Sequence, residues 1–365
     1  MEFYMPGRLV TGADCVRKNA SRFAALGKRC LIVTGGSAAR LSGALADVQE
    51  NLAQQGIAWS LFDGIRPNPA LADCQAGGKA AAAFGADFVT GIGGGSPLDA
   101  AKATAVFAAN PDMTEEEFYS ARWPKAPLPI VLVGTTAGTG SEVTSVSVLT
   151  DSAGRKHSIH DPRLYAALSL GDPRYTLSLP RSVTLSTGID AVAHCVESAF
   201  SRKADRLSRL FAAQGVRQAF PALTAAAQGE ELSLQQREAL YEASVLGGFA
   251  INRTGTVFPH NVGYYLTERY LVPHGFASAC LMPDLLNHID KTAPEIAGNF
   301  FAACGITEEE LRILLERCLP PLKCRATEEE LLAALPRWHY NGSVQNTLGE
   351  VSEEQILAIL KKHLL

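Results

Sequence analysis

Short, continuous apolar runs alternate with Ala- and Leu-rich stretches of helical length in the first half of the chain. Four of these runs predict buried strands, at residues 29–34 (RCLIVT), 59–63 (WSLFD), 87–92 (DFVTGI) and 129–134 (PIVLVG). Residues 70–84 are typical of the intervening helices. Continuous apolar strands separated by helices favour a parallel sheet that helices cover on both faces. The first half therefore predicts an α/β domain.

The pattern changes near residues 179–180, after which almost every segment predicts a helix. Three segments open with Ser or Thr followed three residues later by Glu or Gln, namely TEEELRILLERCL, TEEELLAAL and SEEQILAILKKHLL. This spacing is the capping box of a helix N-terminus. We expect an α/β domain at residues 1–179 and an all-helical domain at residues 180–365. No linker rich in Pro, Ser or Gly separates them, so we expect the two to pack around a cleft.

Composition excludes several classes of protein. Of the 365 residues, 47% are apolar and 19% charged, which provides large cores and excludes intrinsic disorder. A net charge of −4 argues against a nucleic-acid partner. No apolar run reaches the roughly 20 residues of a membrane span, and the opening MEFYMPGRLV lacks the pattern of a signal peptide. Eight scattered cysteines without a C-x-x-C pair indicate reduced thiols, and we expect a cytoplasmic enzyme.

A glycine-rich loop follows the third predicted strand, in GIGGGSPLDAAKA (residues 91–103). Three consecutive glycines let the backbone approach a ligand closely. Ser96 is predicted to be the N-cap of the next helix, with Pro97 at its first position. The N-terminus of that helix would then favour a phosphate. An ordinary tight turn between strand and helix is the alternative, but it needs fewer glycines.

A second loop, VGTTAGTGSEVT (residues 133–144), follows the next strand and carries hydroxyls at Thr135, Thr136, Thr139 and Ser141. Open parallel sheets bind ligands at the carboxyl ends of their strands. Two phosphate-friendly loops on neighbouring strands therefore predict a nucleotide, and a dinucleotide best explains both.

The first strand runs into VTGGSAAR, at residues 33–40. In dinucleotide folds an acidic residue near such a position often binds the ribose 2′-hydroxyl. Here Gly35, Gly36 and Ser37 occupy that region, with Arg40 nearby. The missing carboxylate and the nearby base favour NADP over NAD, with NAD as the alternative.

A candidate metal site begins in LSTGIDAVAHCVES, residues 185–198, where Asp190 and His194 are four residues apart. On a helix both side chains share one face, although this pair alone favours a simple hydrogen bond or a buried histidine. His260 and His274 also lie in apolar surroundings, and one carboxylate with three imidazoles suits a first-row divalent ion. Catalysis would need a further open coordination position. The other histidines are predicted to be solvent-facing or structural: His157, His160, His288, His339 and His363.

These motifs together resemble the iron-containing (group III) alcohol dehydrogenase family. The matching segments are GGGSPLDAAK, TTAGTGSEVT, STGIDAVAHCVES and the pair His260 and His274, and the resemblance extends from EFYMPGRLVTG to the closing helix. It implies a Rossmann-like dinucleotide-binding domain followed by an all-α metal-binding domain. It also implies that Asp190, His194, His260 and His274 bind a divalent metal, with Fe²⁺ favoured and Zn²⁺ or another first-row ion as alternatives.

The resemblance further implies a set of cofactor-binding positions: Gly35, Gly36, Ser37, Asn68, Gly94, Gly95, Ser96, Asp99, Thr135, Thr136, Thr139 and Lys156. NAD-preferring relatives carry Asp where this chain has Gly35, so its GGS resembles the NADP-preferring branch. Many relatives have a second His where this chain has Tyr264. A proton relay through that position would be altered, with Tyr264 as a candidate substitute.

The resulting hypothesis is reversible hydride transfer between nicotinamide C4 and a small primary alcohol or diol and its aldehyde. The metal would act as a Lewis acid on the substrate oxygen, and the apolar FYMPGRLV segment would pair two subunits into a homodimer. One alternative is a synthase resembling dehydroquinate synthase, which needs several basic residues around an acidic substrate; Arg253 and Arg269 are the ones available. Another is a non-catalytic nucleotide sensor, which would predict a broken ligand set.

Overall fold

A computed structural model describes residues 3–365. Met1 and Glu2, the first residues of the segments MEFYMPGRLV and EFYMPGRLVTG discussed above, lie outside the described residues. The strands of the described chain are β1 (Arg8–Thr11), β2 (Arg29–Val33), β3 (Ala58–Phe62), β4 (Phe88–Gly93), β5 (Ile130–Gly134), β6 (Val146–Thr150), β7 (Lys156–His160) and β8 (Leu168–Gly171). Its helices in the first half are α1 (Cys15–Lys18), α2 (Ala20–Ala24), α3 (Ala38–Leu41), α4 (Ala44–Gln54), α5 (Leu71–Phe84), α6 (Gly95–Ala109) and α7 (Glu115–Tyr119).

The second half is helical throughout. Its helices are α8 (Arg181–Ala199), α9 (Arg206–Gln228), α10 (Leu234–Thr254), α11 (Phe258–Tyr270), α12 (His274–Ala279), α13 (Met282–Thr292), α14 (Pro294–Cys304), α15 (Glu308–Cys318), α16 (Glu328–Ala334), α17 (Gly342–Gln345) and α18 (Glu353–Leu364). Thr307, Thr327 and Ser352 each accept the predicted hydrogen bond from the backbone three residues on, so all three capping boxes are confirmed.

Six strands form one parallel sheet in the order β1-β8-β5-β4-β2-β3. The four predicted strands match β2, β3, β4 and β5 to within one residue at each end. Alternate side chains of β2 enter opposite cores, with Leu31 and Val33 in one and Cys30 and Ile32 in the other. Helices therefore cover both faces of the sheet, which confirms the predicted fold class.

The sequence pattern did not single out β1, β8 or the antiparallel hairpin of β6 and β7. β1 and β8 have only four residues each, too few for a distinctive apolar run. The hairpin carries polar and charged residues between its apolar ones, as in KHSIH of β7.

The order of the strands creates a topological switch point. The chain leaves β2 for β3 on one side, whereas β4 pairs with the other side of β2 and continues to β5. Open α/β sheets bind ligands at such a point, beyond the carboxyl ends of the strands. The segment after β2 and the glycine loop after β4 therefore emerge side by side.

Contacts divide the chain into two compact units. One comprises residues 3–180 together with Ser233–Tyr241, and the other comprises Arg181–Leu232 and Glu242–Leu365. The first turns of α10 therefore belong with the sheet. The Tyr241 hydroxyl donates to Glu142 at 2.5 Å, and its ring lies so close to Gly171 that a Cβ there would come within 2.2 Å of it.

All eight cysteines are free and buried, which agrees with the reduced thiols that the sequence predicted. Within residues 3–365 no helix combines the length and the apolar character that crossing a membrane requires.

Candidate metal centre and cofactor-binding loops

Asp190 and His194 lie one turn apart on α8, as their spacing predicted. Both side chains are almost fully buried, at 2% and 5% exposure. Nearly all of α8 from Thr184 onward is buried, because α9 and α12 pack against it. A carboxylate in this position must be compensated by neighbouring polar groups or by a cation.

α11 and α12 bring His260 and His274 to α8. His260 is the third residue of α11, and His274 is the first residue of α12. Gly275 permits the close approach of α12, since a Cβ there would collide with the carbonyl oxygen of Ser186 and lie 3.0 Å from the Cβ of Asp190. Gly263 does the same for α11, where a Cβ would lie 2.8 Å from the carbonyl oxygen of Ala277.

Three of the four predicted metal ligands converge tightly. Asp190, His260 and His274 each offer one ligand atom, and the three atoms lie within 4.8 Å of one another. The Oδ1 of Asp190 is 3.5 Å from the Nε2 of His260 and 3.8 Å from the Nε2 of His274. Among the residues that the structure describes, neither Asp190 Oδ1 nor His260 Nε2 has a hydrogen-bond partner. Buried atoms of this kind fit a cation placed between them, and the O/N donor set suits a first-row divalent metal.

His194 lies beside this group, although its ligand atoms fall outside the three-residue cluster. Its ring stacks on that of His260, with centroids 4.5 Å apart. The centroids of His260 and His274 are 5.2 Å apart. The structure therefore gathers all four predicted side chains in one unit of the protein.

The charges of the cluster shift its pKa values strongly. Burial opposes ionisation of Asp190, but His194, His274 and His260 outweigh it and hold the pKa of the carboxyl well below its usual range. Burial also disfavours the charged form of His260, which would lower its pKa, but Glu197 and Asp190 outweigh this effect and raise that pKa to about 10. The two carboxylates thus favour the protonated form of His260 in the metal-free cluster.

The glycine-rich loop of residues 91–103 (the glycine loop) and the loop of residues 133–144 (the threonine loop) lie in contact at the carboxyl ends of β4 and β5. A Cβ on Gly94 would lie 3.0 Å from Thr136 Oγ1, and one on Gly95 would lie 2.6 Å from Thr139 Cγ2. Thr135 is buried, and its backbone N–H donates to Gly93 at 2.8 Å. The predicted loops thus form one surface at the N-terminus of α6, with backbone N–H groups suited to a phosphate.

Asn68 joins this surface from the segment that precedes α5. Its φ of 55° is in the left-handed region, and its N–H donates to Ser96 Oγ at 3.3 Å. Its carbonyl oxygen accepts a hydrogen bond from the Thr150 hydroxyl at 3.1 Å.

Comparison with known proteins decides the family. Residues 6–173 match the family described as iron-containing alcohol dehydrogenase. Residues 184–314 match the C-terminal region of the Fe-containing alcohol dehydrogenase family. The chain belongs to the iron-containing alcohol dehydrogenase family. This confirms the resemblance stated above and the predicted enzyme class, an oxidoreductase that acts on alcohols, rather than the synthase or the sensor.

Several relatives match most of the chain. An NAD-dependent methanol dehydrogenase of Bacillus methanolicus is 30% identical over 366 residues, covering 98% of this chain and 92% of that protein. A 1,3-propanediol dehydrogenase of Citrobacter freundii is 35% identical over 276 residues, covering 74% and 70%. The crystal structure of an iron-containing alcohol dehydrogenase of Thermotoga maritima is 34% identical, with a TM-score of 0.92 and coverage of 100% and 99%. The family uses a nicotinamide dinucleotide together with a divalent metal.

The predicted cap of α6 is wrong. In this alcohol dehydrogenase α6 begins at Gly95, and Gly94 is its N-cap, so that Ser96 and Pro97 lie inside the first turn. The two glycines let the threonine loop pack directly against the first residues of the helix. The Ser96 hydroxyl binds the N–H of Asn68 instead of capping the helix.

Asp99 faces the protein rather than open space at the loops. Its Oδ1 accepts from the Ser141 hydroxyl at 2.6 Å, and its Oδ2 accepts from the backbone N–H of Val148 at 2.9 Å. The fully buried Lys102 lies 3.8 Å from it and donates to Ser141 and Val146. Lys156, on β7, is close enough for its charge to favour the ionised form of Asp99. Asp99 thus anchors β6 and the threonine loop to α6.

The segment after β2 is closely packed at its first glycine. Gly35 forms a bridge to Gly64, and a Cβ on Gly35 would collide with the carbonyl oxygen of Ile65. Arg40 forms an ion pair with Asp63 at 3.2 Å, and both side chains are more than half exposed. Sequence reasoning missed Asp63 because it follows the neighbouring strand β3 and not β2.

Glu197 is the other residue that sequence reasoning missed. Its Oε1 lies 2.5 Å from His260 Nδ1, and its Oε2 accepts from the N–H of Val257 at 2.9 Å. Glu197 follows Asp190 by seven residues and His194 by three, so all three lie on one face of α8. That spacing was visible in the motif and could have identified it.

Tyr264 lies beside the metal cluster, with its ring centroid 5.5 Å from that of His274. The side chain of His274 is 26% exposed, whereas those of Asp190 and His260 are nearly inaccessible. The cluster is therefore open to solvent on the side of His274. Arg253 and Arg269, the basic residues considered for an acidic substrate, are paired with Asp205 and Glu330.

Proposed function

We propose that this alcohol dehydrogenase interconverts small primary alcohols or diols and their aldehydes at a metal held by Asp190, His194, His260 and His274. The observation that carries the proposal is the convergence of Asp190 Oδ1 with the Nε2 atoms of His260 and His274. Relatives named for methanol and 1,3-propanediol support small alcohols as substrates.

A divalent cation in this cluster supplies Lewis-acid polarisation of the substrate oxygen. Iron(II) is the ion we propose, because the family is described as iron-containing and because a set of oxygen and nitrogen ligands can bind this ion. The protein contributes one buried anion and three imidazoles, which hold the cation while His274 borders the open side. Tyr264, next to His274, is the proposed group for proton exchange with solvent.

We assign dinucleotide binding to residues 1–179 and metal binding to residues 180–365. A nicotinamide dinucleotide supplies the hydride carrier. Gly94 and Gly95 let the threonine loop pack against the start of α6, and the N–H groups at the start of that helix would donate to the phosphates of the dinucleotide. The remaining proposed cofactor-binding positions are Gly35, Gly36, Ser37, Asn68, Ser96, Asp99, Thr135, Thr136, Thr139 and Lys156. Asp99 acts through Ser141 and Val148 in this assignment.

NADP is the cofactor we propose, in preference to NAD. The crowding of Gly35 against Ile65 leaves no space for a side-chain carboxylate at that position. Arg40 provides a cation nearby, although Asp63 shares its charge. Titration with NADPH and NADH tests this choice, and tighter binding of NADH would contradict it.

We further propose a homodimer located in the cytoplasm. β1 is an edge strand, which in the described part of the chain pairs with β8 alone, and Phe3 and Tyr4 beside it are exposed. Such an edge favours pairing with a second copy. Eight buried free thiols fit a reducing compartment.

Activity with short aldehydes tests the proposed reaction. Metal-depleted enzyme, reloaded with iron(II) under anaerobic conditions, is expected to oxidise NADPH when an aldehyde is added. His260→Ala and His274→Ala are expected to lose this activity almost completely, because each removes a ligand. An inert iron-loaded wild type, or full activity in both variants, would contradict the proposal.

A further inference from the structure

Glu197 is a buried carboxylate to which the proposed reaction assigns no role. It has no accessible surface, and both of its oxygens bind groups that belong to or precede α11. Oε1 lies 2.5 Å from Nδ1 of His260, and Oε2 accepts from the backbone N–H of Val257 at 2.9 Å. A buried carboxylate is costly unless its oxygens are satisfied in this way.

This contact determines which nitrogen of His260 carries hydrogen. An ionised carboxylate only accepts hydrogen bonds, so Nδ1 of His260 must donate. The neutral imidazole then has its lone pair on Nε2, the nitrogen that lies 3.5 Å from Asp190 Oδ1. That is the atom a metal requires.

The same carboxylate also fixes the position of α11. Val257 is the N-cap of that helix, and His260 follows three residues later. Glu197 therefore connects both the start of α11 and its imidazole to α8, the helix that carries Asp190 and His194. The next N–H along the chain, of Phe258, is satisfied separately by the Thr347 hydroxyl at 3.2 Å.

We infer that Glu197 is a positioning residue of the metal centre. It holds the ring of His260 with Nδ1 protonated and Nε2 directed at the cation, and it touches neither cation nor substrate. Partners of this kind commonly change metal affinity by about 10–100-fold when they are replaced. The inference rests on the metal site of the proposed function and adds a residue outside its ligand set.

Metal affinity and the spectrum of bound cobalt test this role without relying on turnover. The dissociation constants of Zn²⁺ and Co²⁺ are measured by chelator competition on the metal-depleted full-length enzyme, together with the visible spectrum of the Co²⁺ form. Glu197→Gln keeps the size of the side chain but can accept from only one of the two donors. Glu197→Asp keeps the charge but moves the carboxylate away from Nδ1.

Asp284→Asn is the matched control, because Asp284 is another buried carboxylate of the same unit. Its oxygens bind Lys362 and His363 and not a predicted ligand. Both Glu197 variants are expected to bind metal about 10–100-fold more weakly and to shift the cobalt spectrum. The control is expected to match the wild type in both measurements.

Wild-type affinity and an unchanged cobalt spectrum in both Glu197 variants would overturn the inference and leave the proposed metal site intact. Failure of both variants to fold without metal would also overturn it, because Glu197 would then serve the fold alone. A wild type that binds no metal, or one whose affinity is unaffected by His260→Ala, would refute the proposed function as well.

Discussion

At the scale of single residues, the site depends on glycines as much as on ligands. The proposed ligands could be picked out because Asp190 and His194 have helical spacing and because His260 and His274 lie in apolar sequence. The glycines that let their helices meet could not be recognised, since a glycine within a helix carries no sign of what lies opposite. Ser96 misled the prediction for a related reason, because its hydroxyl accepts from the backbone N–H of Asn68, a contact that its own neighbours in the sequence do not reveal.

Replacement of Gly275 by Ala tests this dependence. The added Cβ would collide with the Ser186 carbonyl, so we expect α12 to shift, metal affinity to fall and stability to drop by about 1–3 kcal/mol. Gly298→Ala is the control, since a Cβ there meets nothing within 4 Å and the site lies within α14. It should gain about 0.5–1 kcal/mol. Chemical denaturation and chelator competition measure both effects, and equal behaviour of the two variants would contradict the packing argument.

At the scale of helices and strands, the sequence predicted the elements whose own residues carry a clear pattern. Long apolar strands and capping boxes were found because each contains its signal within a few residues. β1 and β8 are too short for such a signal, and the first turns of α10 join the sheet unit through Tyr241, a long-range contact that no local pattern encodes. The attachment of α18 to α13 is another contact of this kind.

That attachment predicts a pH dependence. Lys362 and His363 on α18 bind Asp284 on α13, and although burial opposes ionisation, they lower the pKa of Asp284 from its usual value near 3.8. A lowered carboxyl pKa contributes stability that is present at neutral pH and is lost as the pH falls through the folded-state pKa. Asp284→Asn should therefore cost about 1–3 kcal/mol at pH 7 and less at pH 3, below the usual carboxyl pKa. Urea denaturation at both pH values measures the difference, and an equal loss at both would contradict this account.

At the scale of the whole molecule, the two proposed binding functions lie in separate compact units. The cofactor loops belong to the unit that contains the sheet, and the metal cluster belongs to the helical unit. The division at residue 179 was predicted from the change in pattern, but no local signal assigned Ser233–Tyr241 to the first unit.

This separation predicts that the enzyme binds its cofactor without metal. NADPH should bind metal-depleted enzyme with an affinity within about threefold of the loaded enzyme, because its phosphate contacts come from the α6 loop. Fluorescence titration of NADPH with and without metal measures this. Complete loss of NADPH binding on metal removal would show that the cofactor site depends on the metal cluster.

The central claim is that Asp190 and three histidines hold one catalytic cation, and metal content tests it most directly. Elemental analysis after anaerobic equilibration with iron(II) should give one metal ion per wild-type chain. Asp190→Asn and His260→Ala, which remove buried members of the cluster, should retain far less than one. Equal metal content in the wild type and both variants, or none in the wild type, would contradict the account.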